Sequence, residues 1–452
     1  MSARVELPNK LSISDVTTLA WPIMISMLSY TAMSVVDTIY VSRLGTEPLA
    51  GIGLAITVVF LSQAFGGGLL GGVRISISHR SGAGEDDVAK ELAWQGLWLA
   101  LVMGVLVVAL RSPILFGFEL FGASPEVTHQ AQLFFGVRIF GAPFIFAVLA
   151  MTSWFQGRGD TKTPMIATVV GNGVNIVLDP ILIFGVGFVP SFGIQGAAMS
   201  TIVGFVAGGL YLAMRIRHDL GDTPWRPQRH RITEIWQVGY PVGIRNLLEV
   251  GSWVCFAVML AAVGDEHLAA HVIVIRIMSV SFLPGVAIGE AASVLTGHAV
   301  GAHRPVLAYQ AWTIAMWLSV AIMSLCALVF WFAPGPLLAV FNPEPNVVAV
   351  CVDLLVIAAA FQVIDAVAIV SLCVLNGAGD TRFTMWIGIV GTWLVKLPLG
   401  FLLAIPFGMG AVGAWVGLTG EIVVVAVLAT IRFRTGGWNK KRSALSESVV
   451  GE

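Results

Sequence analysis

Residues 157–185 read GRGDTKTPMIATVVGNGVNIVLDPILIFG, and residues 377–400 read GAGDTRFTMWIGIVGTWLVKLPLG. Each stretch opens with a Gly-x-Gly-Asp-Thr turn and continues as an apolar run, predicted over 163–187 and 383–405, that holds a single charged residue. A helix that crosses a bilayer takes about 20 predominantly apolar residues. Both stretches therefore predict a transmembrane helix entered through the same turn, and the unit occurs twice in the chain.

The composition extends this prediction to the whole chain of 452 residues. Hydrophobic residues make up 57% and charged residues 11%, whereas a soluble globular chain carries roughly 25% charged residues. A water-facing surface cannot be built from so few polar side chains, and the spans leave no room for a soluble catalytic domain. The sequence predicts a polytopic membrane protein that is not an enzyme, and the net charge of -1 gives no indication of nucleic-acid binding.

Apolar runs separated by polar or Gly/Pro punctuation predict an all-α fold with twelve transmembrane helices. A β-barrel is not favoured, because its strands alternate apolar and polar residues and these runs are continuous. The predicted spans are 16–42, 48–78, 88–110, 129–154, 163–187, 192–214, 232–262, 267–299, 306–332, 347–374, 383–405 and 410–431.

The distribution of Lys and Arg predicts the orientation, because cytoplasmic loops are enriched in these residues. With the N-terminus inside, the cytoplasmic segments include the basic cluster of Arg215, Arg217, Arg226, Arg229 and Arg231, whereas the opposite loops hold Arg43 and Arg111. We therefore expect both termini and the central loop on the cytoplasmic side of the membrane.

A shift of the sequence by 219 residues superimposes its two halves. Pro22 then meets Pro241 and Gly45 meets Gly264, while a shift of 220 aligns the two Gly-Asp-Thr turns. Six spans per copy is an even number, so both copies have the same orientation, as in carriers built from parallel repeats. The alternative is a scaffold that duplication merely enlarges. The predicted divisions are an N-terminal six-helix lobe (1–214), a cytoplasmic basic linker (215–231), a C-terminal six-helix lobe (232–434) and a cytoplasmic tail (435–452).

Acidic residues inside the predicted spans are candidates for function. A charged side chain at the bilayer centre costs about 2.5–3.5 kcal/mol on insertion scales. Each of these acids aligns with an uncharged residue in the other copy, so the shared scaffold does not require them. The candidates are Asp37, Asp179, Glu249 and Asp365.

Oxygen-bearing side chains share one face of the fifth span. Asn172, Asn175 and Asp179 follow one another at helical spacing, and Pro180 frees a backbone carbonyl one turn earlier. Carboxylate and amide oxygens are the ligands that hard cations prefer. Asn172, Asn175 and Asp179 are therefore candidate cation ligands.

Asp37 lies on a polar stripe of the first span that includes Tyr30. If the first and fifth spans face each other, Asp37 and Asp179 share one pocket, and burial together with like charge lets such a pair take up H⁺ or Na⁺ reversibly. We therefore expect Asp37, Asn175 and Asp179 to form a possible Na⁺ site. Polar contacts that only hold helices together are the alternative.

The second copy carries its own charged candidates. Glu249 follows Arg245 by one turn, Asp365 follows Gln362 by one turn, and Lys396 lies in mid-span. Arg245 and Glu249 are either a structural ion pair or part of a site, and Lys396 is a candidate counter-ion for one of the acids. Glu290 and Glu421 lie nearer the span ends and are left out of the candidate set.

Two sequence features that can indicate a cofactor or redox site do not do so here, because both lie in apolar segments. Residues 66–71 match the dinucleotide fingerprint but lie inside an apolar helix, where small residues permit close helix packing. The four cysteines fall in apolar runs and are typical of core residues. We expect no cofactor and no catalytic residues.

Several motifs together resemble the multidrug and toxic compound extrusion (MATE) family, in its DinF-like and NorM-like bacterial branches, over nearly the whole chain. The first span, the paired Gly-Asp-Thr turns and the run from Asn172 to Phe184 carry the resemblance. The first span contributes Trp21-Pro22, Val36-Asp37-Thr38 and Leu44-Gly45.

This resemblance implies two six-helix lobes arranged in a V, and a monomeric antiporter in the bilayer that exports small cationic or amphipathic compounds in exchange for H⁺ or Na⁺. Asp37, Asn175 and Asp179 match the cation-site residues of the DinF-like branch, whereas Glu249 and Asp365 match acids of the NorM-like branch. His79 and His298 stand where the resemblance leads us to expect glutamine.

A flippase for lipid-linked oligosaccharides or lipids, which shares the superfamily fold, is the alternative function. Such a protein needs intramembrane cations to bind pyrophosphate. The candidates for that role are Arg74, Arg138, Arg245, Arg276 and Lys396.

Overall fold

The computed structural model describes residues 7–221 and 223–439. Within these ranges the chain is helical, with no named strand and one isolated antiparallel bridge between Val186 and Val189. Twelve helices are long and apolar enough to cross a membrane, which confirms the predicted all-α fold. They are α1 (Ile13–Ser42), α2 (Thr46–Gly82), α3 (Asp86–Ala109), α4 (Pro125–Gly157), α5 (Lys162–Phe184), α6 (Ile194–Leu220), α7 (Arg229–Val263), α8 (Asp265–Gly301), α9 (Pro305–Phe332), α10 (Pro345–Gly377), α11 (Thr381–Ala404) and α12 (Gly410–Arg434).

The helices agree with the predicted spans to within a few residues, but the connection between the copies is shorter than expected. Because α6 continues to Leu220 and α7 begins at Arg229, residues 215–220 and 229–231 of the predicted linker are helical.

The described residues form two compact units. One comprises residues 22–243, and the other comprises residues 7–21 and 244–439. Each unit has its own hydrophobic core, centred on α2, α3, α4 and α6 in the first, and on α8, α10 and α12 in the second. The predicted lobe boundaries at 214 and 232 remain a prediction.

The two Gly-Asp-Thr turns adopt the same backbone geometry. Gly159 and Gly379 both have φ of 85°, a left-handed conformation that favours glycine because it lacks a Cβ. In each turn the following Asp donates its backbone N–H to the fifth residue back, Asp160 to Phe155 O and Asp380 to Leu375 O, both within 3.0 Å. The turn that ends α4 and begins α5 is therefore repeated where α10 meets α11.

Two of the helices depart from α geometry in mid-span. In α4 a 3₁₀ segment covers Ile139–Gly141. In α11 a π-helical segment covers Val390–Lys396. The 3₁₀ segment is a tighter turn than an α-helix and the π-helical segment a wider one, and both kinds of departure inside α-helices often mark functional positions. Each segment lies beside one of the charged groups described below.

Candidate functional site

Close packing of α5 against α6 positions the first group of polar side chains. The backbones of Gly171 and Gly204 are in direct contact, since a Cβ on Gly171 would lie 2.6 Å from Gly204 O. One and two turns further along α5, Asn175 and Asp179 face the α6 residue Ser200, and all three are completely buried. Small residues at the contact thus let a hydroxyl, an amide and a carboxylate meet inside the helix pair.

Ser200 is the centre of this contact. Its hydroxyl donates a hydrogen bond to Asp179 Oδ1, and it accepts one from Asn175 Nδ2 at 3.2 Å. Asn175 Nδ2 also lies 3.5 Å from Asp179 Oδ1. One carboxylate oxygen is therefore fixed by α6, while the other remains directed away from Ser200.

Asp37 brings a second carboxylate from α1. Its side chain is buried, with 8% of its surface exposed, and it lies beside both Asp179 and Asn175. Asp37, Asn175, Asp179 and Ser200 are referred to as the acidic cluster. The structure thus brings together the three residues for which the sequence predicts a shared pocket.

Three buried oxygens of the acidic cluster have no hydrogen-bond partner among the described residues: Asp37 Oδ1, Asn175 Oδ1 and Asp179 Oδ2. Two adjacent carboxylates in apolar surroundings repel each other unless a proton or a cation lies between them. Two carboxylate oxygens and one amide oxygen are also ligands that suit a hard monovalent cation. The geometry of the cluster therefore allows uptake of one H⁺ or Na⁺.

The other first-copy candidates lie at the edge of the acidic cluster. Asn172 is buried, and its Nδ2 donates to Ser29 Oγ at 2.8 Å. Tyr30 is 36% exposed, and its ring lies 6.4 Å from that of Phe205. Neither residue supplies one of the three buried oxygens that lack a partner among the described residues.

Arg138 is a buried cation that the sequence analysis named only for the flippase alternative. It lies on α4 directly before the 3₁₀ segment, with 4% of its surface exposed. Its guanidinium lies over the Phe205 ring at 5.2 Å and close to the side chains of Tyr30 and Asp37. A fixed positive charge therefore lies close to Asp37, one of the two carboxylates. An arginine inside an apolar run was the signal available in the sequence.

In the second copy, Lys396 pairs with a residue that the sequence analysis left out. Lys396 Nζ lies 3.1 Å from Glu421 Oε2, and Thr392 Oγ1 donates to Glu421 Oε1 at 2.6 Å. The Lys396 ammonium also lies 4.5 Å from the centre of the Trp253 ring. Lys396, Glu421, Thr392 and Trp253 are referred to as the lysine cluster. The sequence analysis expected Glu421 near a span end, whereas α12 places it in mid-helix against α11.

The remaining second-copy acids are more open. Asp365 is partly buried and lies close enough to Glu421 and Glu249 to be repelled by their negative charges. Glu249 is exposed. In the described part of the chain no ion pair joins Arg245 to Glu249, and Arg245 Nη2 instead approaches Asn246 Oδ1 at 3.5 Å. The structural ion pair considered from the sequence is therefore not formed.

Over residues 7–221 and 223–439, no three His, Cys, Asp or Glu side chains come together as a metal-binding group. This finding does not bear on a Na⁺ site that includes an amide, so the possible Na⁺ site at Asp37, Asn175 and Asp179 remains a prediction.

Twelve apolar helices, an internal duplication and buried carboxylates define a polytopic membrane transport protein. The MatE family model matches residues 22–181 and 241–402, once in each copy. The chain belongs to the MatE family, which confirms the resemblance drawn from the motifs.

Curated relatives align over nearly the full length. The chain is 33% identical to a probable multidrug resistance protein NorM of Burkholderia pseudomallei, covering 93% of this chain and 92% of that protein. It is 29% identical to a probable multidrug resistance protein NorM of Thermotoga maritima, covering 96% and 94%.

Solved structures share the fold. An outward-facing multidrug resistance MATE family transporter of the MOP superfamily has a TM-score of 0.86 at 25% identity, covering 94% of this chain and 95% of that one. A MOP superfamily transporter from Pyrococcus furiosus, described as having a binding pocket of reverse polarity that suggests a different function, has a TM-score of 0.85 at 25% identity, with coverage of 94% and 95%.

Proposed function

We propose that this protein is a secondary active antiporter that exports small cationic or amphipathic organic compounds in exchange for H⁺ or Na⁺. The observation that carries the proposal is that two buried carboxylates, Asp37 and Asp179, lie beside each other and each has an oxygen without a hydrogen-bond partner among the described residues. The names of the relatives support multidrug efflux.

The coupling ion and the organic compound are coupled if they compete for the same carboxylates or if they favour opposite conformations of the protein. A cation that binds the acidic cluster neutralises one negative charge, and an organic cation attracted by that charge is then held less tightly. Linkage requires the converse as well, so a bound organic cation must weaken binding of the coupling ion. The protein acts by binding and release, without a catalytic residue and without a cofactor.

The proposed location is the inner membrane of a bacterial cell, with both termini in the cytoplasm. The distribution of Lys and Arg supports this orientation. We place the active form as a monomer, because both repeats lie in one chain.

The flippase alternative is not favoured. Lipid-linked pyrophosphates require an excess of buried positive charge, whereas Arg138 lies close to the carboxylate of Asp37 and Lys396 is paired with Glu421. The named relatives are multidrug resistance proteins.

Dye efflux in everted membrane vesicles tests the proposal, with a Na⁺ gradient and a pH gradient imposed separately. We expect one of the two gradients to drive efflux by the unmodified protein. Asp37→Asn and Asp179→Asn should insert at normal levels and lose this stimulation, while Asp353→Asn, which alters an exposed acid of α10 outside both clusters, should retain it. Gradient-driven efflux by the Asp37→Asn, Asp179→Asn double variant would contradict the proposal.

A further inference from the structure

The helix pair α11–α12 repeats the packing of α5–α6, and the repeat identifies which residues correspond. Gly196 of α6 lies against the backbone of Leu182, and Gly413 of α12 lies against the backbone of Leu403. These two contacts set the register of the helix pairs, because in each a glycine without a side chain permits backbone contact.

Four residues beyond these glycines, the contacts again agree. Ser200 touches Asp179 and Asn175, which lie three and seven residues before Leu182. Gly417, the residue that corresponds to Ser200, touches the backbone of two residues that lie three and seven residues before Leu403, namely Gly400 and Lys396. Lys396 therefore occupies the place of Asn175, and Gly400 occupies the place of Asp179.

One further turn along, the second copy contains one extra residue. Gly204 packs on Gly171, eleven residues before Leu182, whereas the corresponding Glu421 packs on Gly391, twelve residues before Leu403. The added residue lies within the π-helical segment Val390–Lys396, which accommodates it as a wide turn. This insertion gives Lys396 its position opposite α12.

The corresponding positions in the two copies thus differ in charge. In the first copy the position holds a neutral amide beside two carboxylates that have unpartnered oxygens. In the second copy it holds an ammonium that is 1% exposed and 3.1 Å from Glu421 Oε2. The carboxylate of Asp179 is replaced by the hydrogen of Gly400.

We propose that Lys396 is a built-in cation that fills, in the second copy, the position at which the first copy takes up the coupling ion. The ammonium neutralises Glu421, and Thr392 and the Trp253 ring complete its surroundings. The lysine cluster is therefore closed to Na⁺ and H⁺, and the reversible site at this place belongs to the first copy alone. This inference rests on the proposed function, since it takes the acidic cluster as the coupling-ion site.

The charges around Lys396 are consistent with this assignment. Glu421 on α12 is its direct partner, while Asp365 on α10 and Glu249 on α7 lie close enough to Glu421 to interact with its charge. Removal of the ammonium would leave Glu421 beside other acids and without the cation that pairs with it in the described part of the chain, and such a carboxylate must acquire a cation.

The test counts bound cations on the purified full-length protein in detergent and requires no transport. Binding of ²²Na⁺ alone is measured at equilibrium, and infrared spectroscopy measures protonated carboxyl groups at the same pH. Relative to the unmodified protein, Lys396→Met should gain one cation per chain, seen either as bound Na⁺ or as a new protonated carboxyl. The Lys396→Met, Glu421→Gln double variant should lose this gain.

Two controls keep the outcome decisive. Glu421→Gln alone should bind as many Na⁺ as the unmodified protein, which tests the proposal even if Lys396→Met fails to fold. Asp37→Asn, Asp179→Asn should abolish whatever cation uptake the unmodified protein shows. The proposal is overturned if folded Lys396→Met gains no cation in either readout, if the gain survives Glu421→Gln, or if Glu421→Gln alone reduces Na⁺ binding. Failure of efflux coupling, by contrast, would contradict the proposed function and leave this count unchanged.

Discussion

Gly171 and Gly204 bring the backbones of α5 and α6 into contact one helical turn before Asn175 of the acidic cluster. A Cβ on Gly171 would lie 2.6 Å from Gly204 O, and a Cβ on Gly204 would lie 3.2 Å from the Cβ of Asn175. The distance between the two helices therefore determines whether Ser200 of α6 can reach Asp179 of α5.

Gly171→Ala should separate α5 from α6 and disturb the acidic cluster. Overpacking of this kind costs roughly 1–3 kcal/mol, and the loss of the Ser200 contact should reduce gradient-driven efflux as well. The melting temperature of the purified protein, together with efflux in vesicles, measures both effects.

Gly173→Ala is the matched control on the same helix, because a Cβ at Gly173 meets no atom within 4 Å. Alanine is also the better helix former, so this variant should be as stable as the unmodified protein or slightly more stable. Equal behaviour of the two variants would show that the close contact at Gly171 is not required.

The positions of the helices could be predicted from the sequence because apolar length alone sets them. The second span was predicted over 48–78 and is observed as Thr46–Gly82, and the tenth was predicted over 347–374 and is observed as Pro345–Gly377. Hydropathy does not register the polar turns that extend a helix beyond the apolar run, so these two helices are longer at both ends than predicted.

The acidic cluster was also within reach of sequence reasoning, because Asn175 and Asp179 follow a helical period on one chain segment. The pairing of Lys396 with Glu421 was not. It depends on one extra residue in the π-helical segment of α11, and a uniform helical period does not show which face of α12 that residue meets. From the sequence, Glu421 was placed near a span end, and its contact with α11 was therefore not predicted.

Lys396→Met should destabilise the protein more than the Lys396→Met, Glu421→Gln double variant in buffer without Na⁺. Removing one partner of a buried ion pair costs about 3–5 kcal/mol, whereas replacing both partners with neutral groups is often nearly neutral. Thermal denaturation of the two purified variants measures the difference. If the double variant is the less stable of the two, the ion pair is not the source of the loss.

Glu234 connects two arginines, Arg80 near the end of α2 and Arg231 near the start of α7, within the first unit. Its carboxylate lies 2.9 Å from Arg80 and 3.5 Å from Arg231. Because these side chains are partly exposed, Glu234→Gln should reduce stability by no more than about 1 kcal/mol, and the loss should shrink at high salt.

The control for Glu234→Gln is Asp87→Asn, which removes the partner of Lys90 in a pair whose acid is 97% exposed. This variant should leave the melting temperature unchanged at any salt concentration. A loss at Glu234 that does not depend on salt would indicate a packing effect, and would contradict the electrostatic interpretation.

The orientation leads to a prediction about which side of the membrane reaches two connecting segments. In a background in which the four native cysteines are replaced, Ala123→Cys in the segment before α4 should react with a membrane-impermeant maleimide in intact cells. Arg226→Cys, in the exposed connection between α6 and α7, should react only after the membrane is permeabilised. The excess of Lys and Arg on one side of the spans is the reason for this expectation. Labelling of Arg226→Cys in intact cells, with Ala123→Cys protected, would reverse the proposed orientation and with it the direction of transport.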